Sequence, residues 1–144
     1  MKCSTLSILY GKENVLTEKD AAYDIFTGSY WSGIQGDVSP RCIFKPSSTE
    51  DVSAVVLLSR LTQCHFAVKS GGHAAFAGGS SAEGGITVSL EKLNKVRLSC
   101  NKKKVTIGPG NRWADVYRKL DPRDLTVAGG RVSNVGTGGL TLGG

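Results

Sequence analysis

Val68-Lys69-Ser70-Gly71-Gly72-His73-Ala74-Ala75-Phe76-Ala77-Gly78-Gly79-Ser80 and Ala128-Gly129-Gly130-Arg131-Val132-Ser133-Asn134-Val135-Gly136-Thr137-Gly138-Gly139-Leu140-Thr141-Leu142-Gly143-Gly144 are the two stretches that decide the reading of this chain. Glycine has no side chain to hold backbone amides away from a ligand, and it reaches positive φ. Such runs therefore predict concave nests of N–H groups suited to phosphate. The first run also carries one imidazole, His73, directly after a Gly-Gly pair. That placement points to chemistry more specific than phosphate binding.

The sequence leading into the first run is regular. Arg41-Cys42-Ile43-Phe44-Lys45 reads as a short strand that Pro46 ends. Ser47-Ser48-Thr49-Glu50 predicts a capping box, with the Ser47 hydroxyl accepting from an early helical amide and Glu50 reaching back. The helix then occupies Asp51 to Leu61, with Val52, Val55, Val56, Leu58 and Leu61 forming a broad apolar face. Phe66 to Lys69 is the next strand, so residues 41–69 form a strand–helix–strand unit with parallel strands. The glycine loop behind it lacks both G-x-G-x-x-G and G-x-x-x-x-G-K-[ST], and no helix-forming sequence follows Ala77-Gly78-Gly79-Ser80-Ser81. Nicotinamide-dinucleotide and P-loop readings therefore lose ground.

Between the glycine runs, residues 85–90, 96–100 and 104–107 alternate or run apolar like strands. Gly108-Pro109-Gly110 breaks the last of them. Asn111 is the expected cap of a helix over 112–120, with Trp113, Val116, Tyr117 and Leu120 on one face. Leu125 to Ala128 reads as extended. Asp115 and Tyr117 read as surface and core residues rather than as a general base. The chain stops inside a glycine run, which predicts a domain incomplete at its C-terminus.

Composition bounds the rest. At 144 residues the chain is the size of one domain, and its 40% hydrophobic and 21% charged residues are those of a globular protein. Residues 1–39 read as a lead-in of irregular or short-helical character, in which Tyr23, Phe26, Tyr30 and Trp31 are packing residues. The net charge of +6 admits nucleic acid, an acidic membrane or a phosphorylated cofactor as partner. Lys102-Lys103-Lys104 falls where a hairpin turn is expected and has no aromatics interleaved, so it reads as a solvated turn and nucleic acid is not the expected partner. No apolar run is long enough to span a bilayer, and residues 1–9 make a poor signal peptide. Cys3, Cys42, Cys64 and Cys100 have no CxxC or zinc-finger spacing, so no metal site is expected. They admit two disulfides in any of three connectivities, or four thiols.

The order of these parts closely resembles the FAD-linked oxidases of the vanillyl-alcohol oxidase/p-cresol methylhydroxylase (PCMH) type, and within them the fungal berberine-bridge-enzyme-like branch. The resemblance covers residues 20–144 and rests on Lys-Ser-Gly-Gly-His and on Ala-Gly-Gly-Arg-Val-x-x-Val-Gly-x-Gly-Gly-Leu-x-Leu-Gly-Gly. It implies an α+β fold over residues 40–144, the first part of a PCMH-type FAD-binding domain, with a small mixed sheet and packed helices. It implies FAD as cofactor, held by Lys69, Ser70, Gly71, Gly72, His73, Ala74, Gly78, Gly79 and Ser80 in the first loop. In the second stretch the matching positions are Gly129, Gly130, Val135, Gly136, Gly138, Gly139 and Gly143.

His73 matches the histidine that such enzymes join covalently to a methyl group on the flavin's benzenoid ring. Neutral imidazole suits that role as a nucleophile near neutral pH. His65 lacks such a setting and reads as structural. Doubly attached relatives carry Cys-Pro where this chain has Val132-Ser133, which excludes a thioether link there. The resemblance further implies oxidation of an alcohol, sugar or alkaloid-like substrate by hydride transfer to flavin. It implies secretion too, and a disulfide, for which Cys42 and Cys64 are the expected pair. The family's catalytic bases match nothing in this chain, so the catalytic residues are unassigned. Two rival readings stand beside this one: a truncated, inactive FAD-binding module, and a basic domain that binds another anionic nucleotide or a nucleic-acid backbone.

Overall fold

Strand β4 (Ile86–Ser89) is the centre of the main sheet, buried at all four positions and flanked by a strand on each side. A computed structural model describes residues 3–143. The sheet order is β1 (Val15–Leu16), β2 (Cys42–Phe44), β4, β3 (Phe66–Lys69). Strands β2 and β3 both run parallel to β4, whereas β1 pairs antiparallel with β2. Parallel strands covered on both faces carry continuous apolar runs, as in Cys42-Ile43-Phe44. The polar residues of β4, Thr87 and Ser89, are fully buried too, and the Thr87 Oγ1 accepts from the Ala82 amide at 3.3 Å.

The expected strand–helix–strand unit is present with β4 inserted between its two strands. Its helix α4 (Thr49–Thr62) is capped one residue later than the sequence reading has it and begins two residues before the expected Asp51. Ser48 is the cap, its Oγ accepting from the Asp51 amide at 3.1 Å, while the Asp51 carboxylate takes the amides of Ser47 and Ser48. A carboxylate at this position reaches both amides, and the expected Ser47–Glu50 pair does not form. Those bonds hold the Asp51 carboxyl below the usual carboxylate range although burial opposes them. The apolar face of α4 is also narrower than expected. Val55 and Ser59 are buried, whereas Val56, Leu57 and Leu61 are exposed.

Residues 3–39 share the core of the sheet. Helix α1 (Cys3–Tyr10) places Leu6 in one cluster with Val15, Phe44, Val55, Ile86 and Val88. On the opposite face α2 (Ala21–Thr27) and the turn behind it pack Tyr23, Phe26 and Tyr30 on Leu16 and Ile43. Trp31 departs from the packing reading, being 58% exposed. A short helix, α3 (Gly33–Gly36), buries Gln35 completely.

The disulfide joins Cys3 to Cys42, with Cα atoms 6.0 Å apart, and Cys64 is a free thiol. This corrects the expected Cys42–Cys64 pair, and the sheet order gives the reason. Cys42 and Phe66 both register on Ile86 from opposite sides of β4, so the start of β3 lies two strand spacings from Cys42, about 9–10 Å. A disulfide tolerates at most about 7 Å between Cα atoms.

The remainder forms a second layer. β5 (Val96–Leu98) and β6 (Val105–Ile107) pair as a hairpin whose turn carries Lys102 at φ 56. Helix α5 (Trp113–Leu120) packs Trp113, Val116 and Leu120 on that hairpin. Asn111 does not cap it. Its Nδ2 donates to the Gly108 carbonyl at 2.9 Å, Arg112 holds the cap position, and the Asp115 carboxylate accepts from the Arg112 amide at 3.1 Å. Residues 125–128 form no strand. The end of the second glycine stretch, for which the sequence predicts a nest of amides rather than a helix, is helix α6 (Thr137–Gly143), with Gly144 outside the described residues.

Candidate functional site

The end of β3 carries the chain straight into the first glycine loop, and Ser70 fixes its exit. The Ser70 hydroxyl donates to the Pro109 carbonyl at 2.6 Å and accepts from the Gly138 amide at 3.2 Å, so one side chain ties three segments together. Beside it the two glycine stretches meet backbone to backbone. A Cβ added to Gly71 would lie 2.6 Å from the Gly136 Cα, and one on Gly136 would lie 2.6 Å from the Gly71 Cα. Only glycine permits this approach. The anchor on the other side is a bridge between Arg112 and Gly136, with the Thr137 amide donating to the Asn111 carbonyl at 3.0 Å.

Between the stretches lies a cavity of about 640 Å³, within the usual range of roughly 300–1,000 Å³ for small-molecule sites. Ser70, Gly71, Gly72, His73, Ala74, Gly79 and Ser80 line it from the first loop, and Val135, Gly136, Gly138, Gly139 and Gly143 from the second. Val68, Phe76, Leu90, Pro109, Leu140 and Leu142 supply apolar walls that sequence reasoning missed. Leu142 is 91% exposed.

The first loop is held from beneath. The Gln35 Nε2 donates to the Phe76 carbonyl, its Oε1 accepts from the Ser80 amide at 3.3 Å, and the Tyr30 hydroxyl donates to the Ser80 carbonyl at 2.9 Å. Burial pushes the Tyr30 phenol up to about 12. Ser80 itself is 6% exposed, and its Oγ has no partner among the described residues. A buried hydroxyl without a partner costs roughly 1–3 kcal/mol unless something else completes it.

His73 sits where the stretches converge. Its Nε2 lies 3.2 Å from the Asn134 Oδ1, and its ring stacks on Trp31 with centroids 4.4 Å apart and planes 17° apart. Sequence reasoning assigned neither partner to the site, because Trp31 reads as a packing residue and Asn134 holds an unassigned position within the second glycine stretch. His65 behaves as a structural residue, its Nε2 lying 3.0 Å from the Glu83 carbonyl.

Four candidates fall outside the cavity lining. Lys69 is 5% exposed, and its Nζ lies 4.6 Å and 5.0 Å from the Phe26 and Tyr30 ring centres. Burial holds its ammonium below the usual lysine range, with Arg112 and Lys45 adding to the effect and Glu91 opposing it. Lys69 points the other way because strand residues alternate between faces, and its neighbour Ser70 takes the loop side. Gly78 has open space around it at φ +80. Gly129 and Gly130 lie against the Trp113 indole, so their missing side chains serve aromatic packing. The Tyr117 hydroxyl donates to the Gly130 carbonyl at 3.0 Å, which engages it structurally.

Sequence comparison matches the FAD binding domain family to residues 40–144. The chain belongs to that family. Fungal relatives include the FAD-dependent monooxygenase tpcD of Cochliobolus heterostrophus, 43% identical over 115 residues, which are 80% of this chain and 22% of the relative. The FAD-dependent monooxygenase macF of Penicillium terrestre is 38% identical over 142 residues, 98% of this chain and 27% of the relative. The chain thus spans about a quarter of the length of the curated relatives it matches.

Among solved structures, 6-hydroxy-D-nicotine oxidase from Arthrobacter nicotinovorans superposes with a TM-score of 0.76 at 23% identity, over 85% of this chain and 26% of that one. A Physcomitrella patens BBE-like 1 variant gives 0.71 at 16%, over 87% of this chain and 27% of that one. The fold is that of the PCMH-type FAD-binding domain, and the cofactor of the family is FAD.

Proposed function

We propose that this chain supplies one wall of the FAD site of an oxidoreductase, with the cofactor lying between the two glycine stretches and His73 tethering it. The observation that carries the reading is the cavity shared by both stretches, which has His73 at its edge and a side-chain-free contact at Gly71 and Gly136. The residues present fit the group. Bare glycine backbone lets amides approach a pyrophosphate, the unpartnered Ser80 hydroxyl offers a buried hydrogen bond, and Val68, Leu90 and Leu140 offer an apolar wall.

FAD bound there supplies a two-electron acceptor for hydride transfer from substrate. The chain's own residues bind and orient. Ser70 holds the two stretches at a fixed spacing, Gln35 and Tyr30 fix the Ser80 backbone, and Trp31 and Asn134 present the His73 imidazole. An alcohol, sugar or alkaloid-like molecule is the proposed substrate class, and the name FAD-dependent monooxygenase that the fungal relatives carry supports FAD-dependent redox chemistry. The Cys3–Cys42 bond supports an oxidising compartment.

The test is acid precipitation of the chain after expression with FAD. Yellow, fluorescent pellets from the wild type and colourless ones from His73→Ala are expected. Colour that survives in His73→Ala places the link elsewhere, and an absence of FAD binding in both overturns the reading.

A further inference from the structure

We infer that Asn134 is a positioning residue for His73, selecting the imidazole tautomer and thereby the nitrogen that reacts. The inference rests on the tether proposed above. An Asn134 Oδ1 at 3.2 Å is an acceptor, so the nitrogen facing it, Nε2, must carry the proton. The lone pair is then on Nδ1. Stacking on Trp31 at 17° fixes the plane in which that lone pair lies, and the Asn134 contact fixes which nitrogen faces which way within it. The two contacts come from residues 31 and 134, far apart in the chain, and converge on a ring that lines the shared cavity.

The chemistry gives the contact a purpose beyond holding the ring. Joining His73 to the flavin forms one C–N bond from Nδ1 to the benzenoid-ring methyl carbon, and it breaks one methyl C–H and, in the end, the imidazole N–H. Those two hydrogens and the two electrons released pass to dioxygen, which leaves as hydrogen peroxide. As Nδ1 donates its pair, positive charge builds on the ring and the Nε2–H bond to Asn134 becomes charge-assisted, about twice as strong as its neutral form. Asn134 therefore favours the step more than the resting state, which is what accelerates a reaction.

The experiment has two arms. In the first, the chain without flavin is labelled with ¹⁵N at histidine and measured at about pH 8.5, where imidazole is ordinarily neutral. Only His65 and His73 contribute, and His65→Gln assigns them. The expected spectrum shows the His73 Nε2 protonated with a slowly exchanging proton that Asn134→Leu removes. A proton on Nδ1, or an Nε2 proton unaffected by Asn134→Leu, overturns the inference whether or not flavin attaches.

The second arm follows the rate at which acid-stable flavin forms on the chain. Asn134→Leu slows it at least about tenfold, whereas Asn134→Asp, which keeps an acceptor oxygen, restores most of the rate. Incorporation by Asn134→Leu at the wild-type rate overturns the positioning role and leaves the tether standing. Loss of the tether itself is read separately, from His73→Ala.

Discussion

In the first loop the backbone of Gly71, Gly72 and Gly79 forms the cavity wall, whereas in residues 129–143 the glycines divide into two groups. Gly136, Gly138, Gly139 and Gly143 face the cavity, but Gly129 and Gly130 lie flat against the indole of Trp113. The same residue type thus serves two ends. On one side it admits backbone, and by the proposed function a dinucleotide, and on the other it admits an aromatic ring belonging to the hairpin core. Composition cannot separate these uses, because both leave the same letter in the sequence.

Substitutions that add volume split the two uses. Gly136→Val has the largest expected effect. The new side chain meets the Gly71 backbone, which cannot swing aside, so FAD affinity falls by at least about 100-fold, or about 2.7 kcal/mol. A fluorescence titration with FAD measures it, and wild-type affinity would show that the two stretches need not touch. Gly130→Val acts on the packing side, where Cβ would lie 2.8 Å from both the Leu140 side chain and the Trp113 Nε1. It should cost about 1–3 kcal/mol of stability in a denaturant melt and change FAD affinity much less than Gly136→Val does. Equal losses of affinity from both variants would erase the distinction.

Tyr30 sharpens the comparison from beneath the first loop. Its phenol ionises near 12 in the folded chain and near 10 when exposed, so unfolding is favoured as protons leave the unfolded state first. Its contribution is intact below about pH 10 and is lost as pH rises toward about 12. Tyr30→Phe should remove that part of the alkaline slope and cost about 1 kcal/mol near neutral pH for the lost bond to the Ser80 carbonyl. The slope of stability against pH in the two proteins checks it. The smallest effect is expected of Lys69→Met. Lys69 lies in the matched motif yet outside the cavity, so FAD affinity should stay unchanged in the same titration. A tenfold loss would return Lys69 to the site.

Much of the fold is legible where local chemistry decides it. Pro46, the serine and acidic residues behind it and the valine-rich run after them specify a strand, a cap and a helix, with the cap displaced by one position because Asp51 reaches two amides at once. The loop at Lys102 likewise follows from its turn chemistry. What local chemistry does not carry is strand order. The insertion of β4 between β2 and β3 separates Cys42 from Cys64 and leaves Cys42 to Cys3.

The site shows the same division. The glycines that line the cavity stand out in the sequence, but Trp31, Gln35 and Asn134 do not, since their value depends on which ring or carbonyl the fold delivers to them. Helix α6 was hidden by its own glycines, which disfavour helix by about 1 kcal/mol each. Tertiary contacts through Ser70 and Asn111 compensate at its start.

By the proposed function His73, and no other residue, joins the flavin in the cavity between the two stretches. Tryptic mapping by mass spectrometry of the FAD-loaded chain tests it directly, because cleavage after Arg60, Lys69 and Lys92 places His65 in the peptide 61–69 and His73 in the peptide 70–92. The flavin mass is expected on 70–92, with fragmentation assigning it to His73. Flavin on 61–69, or on any peptide other than 70–92, would contradict it.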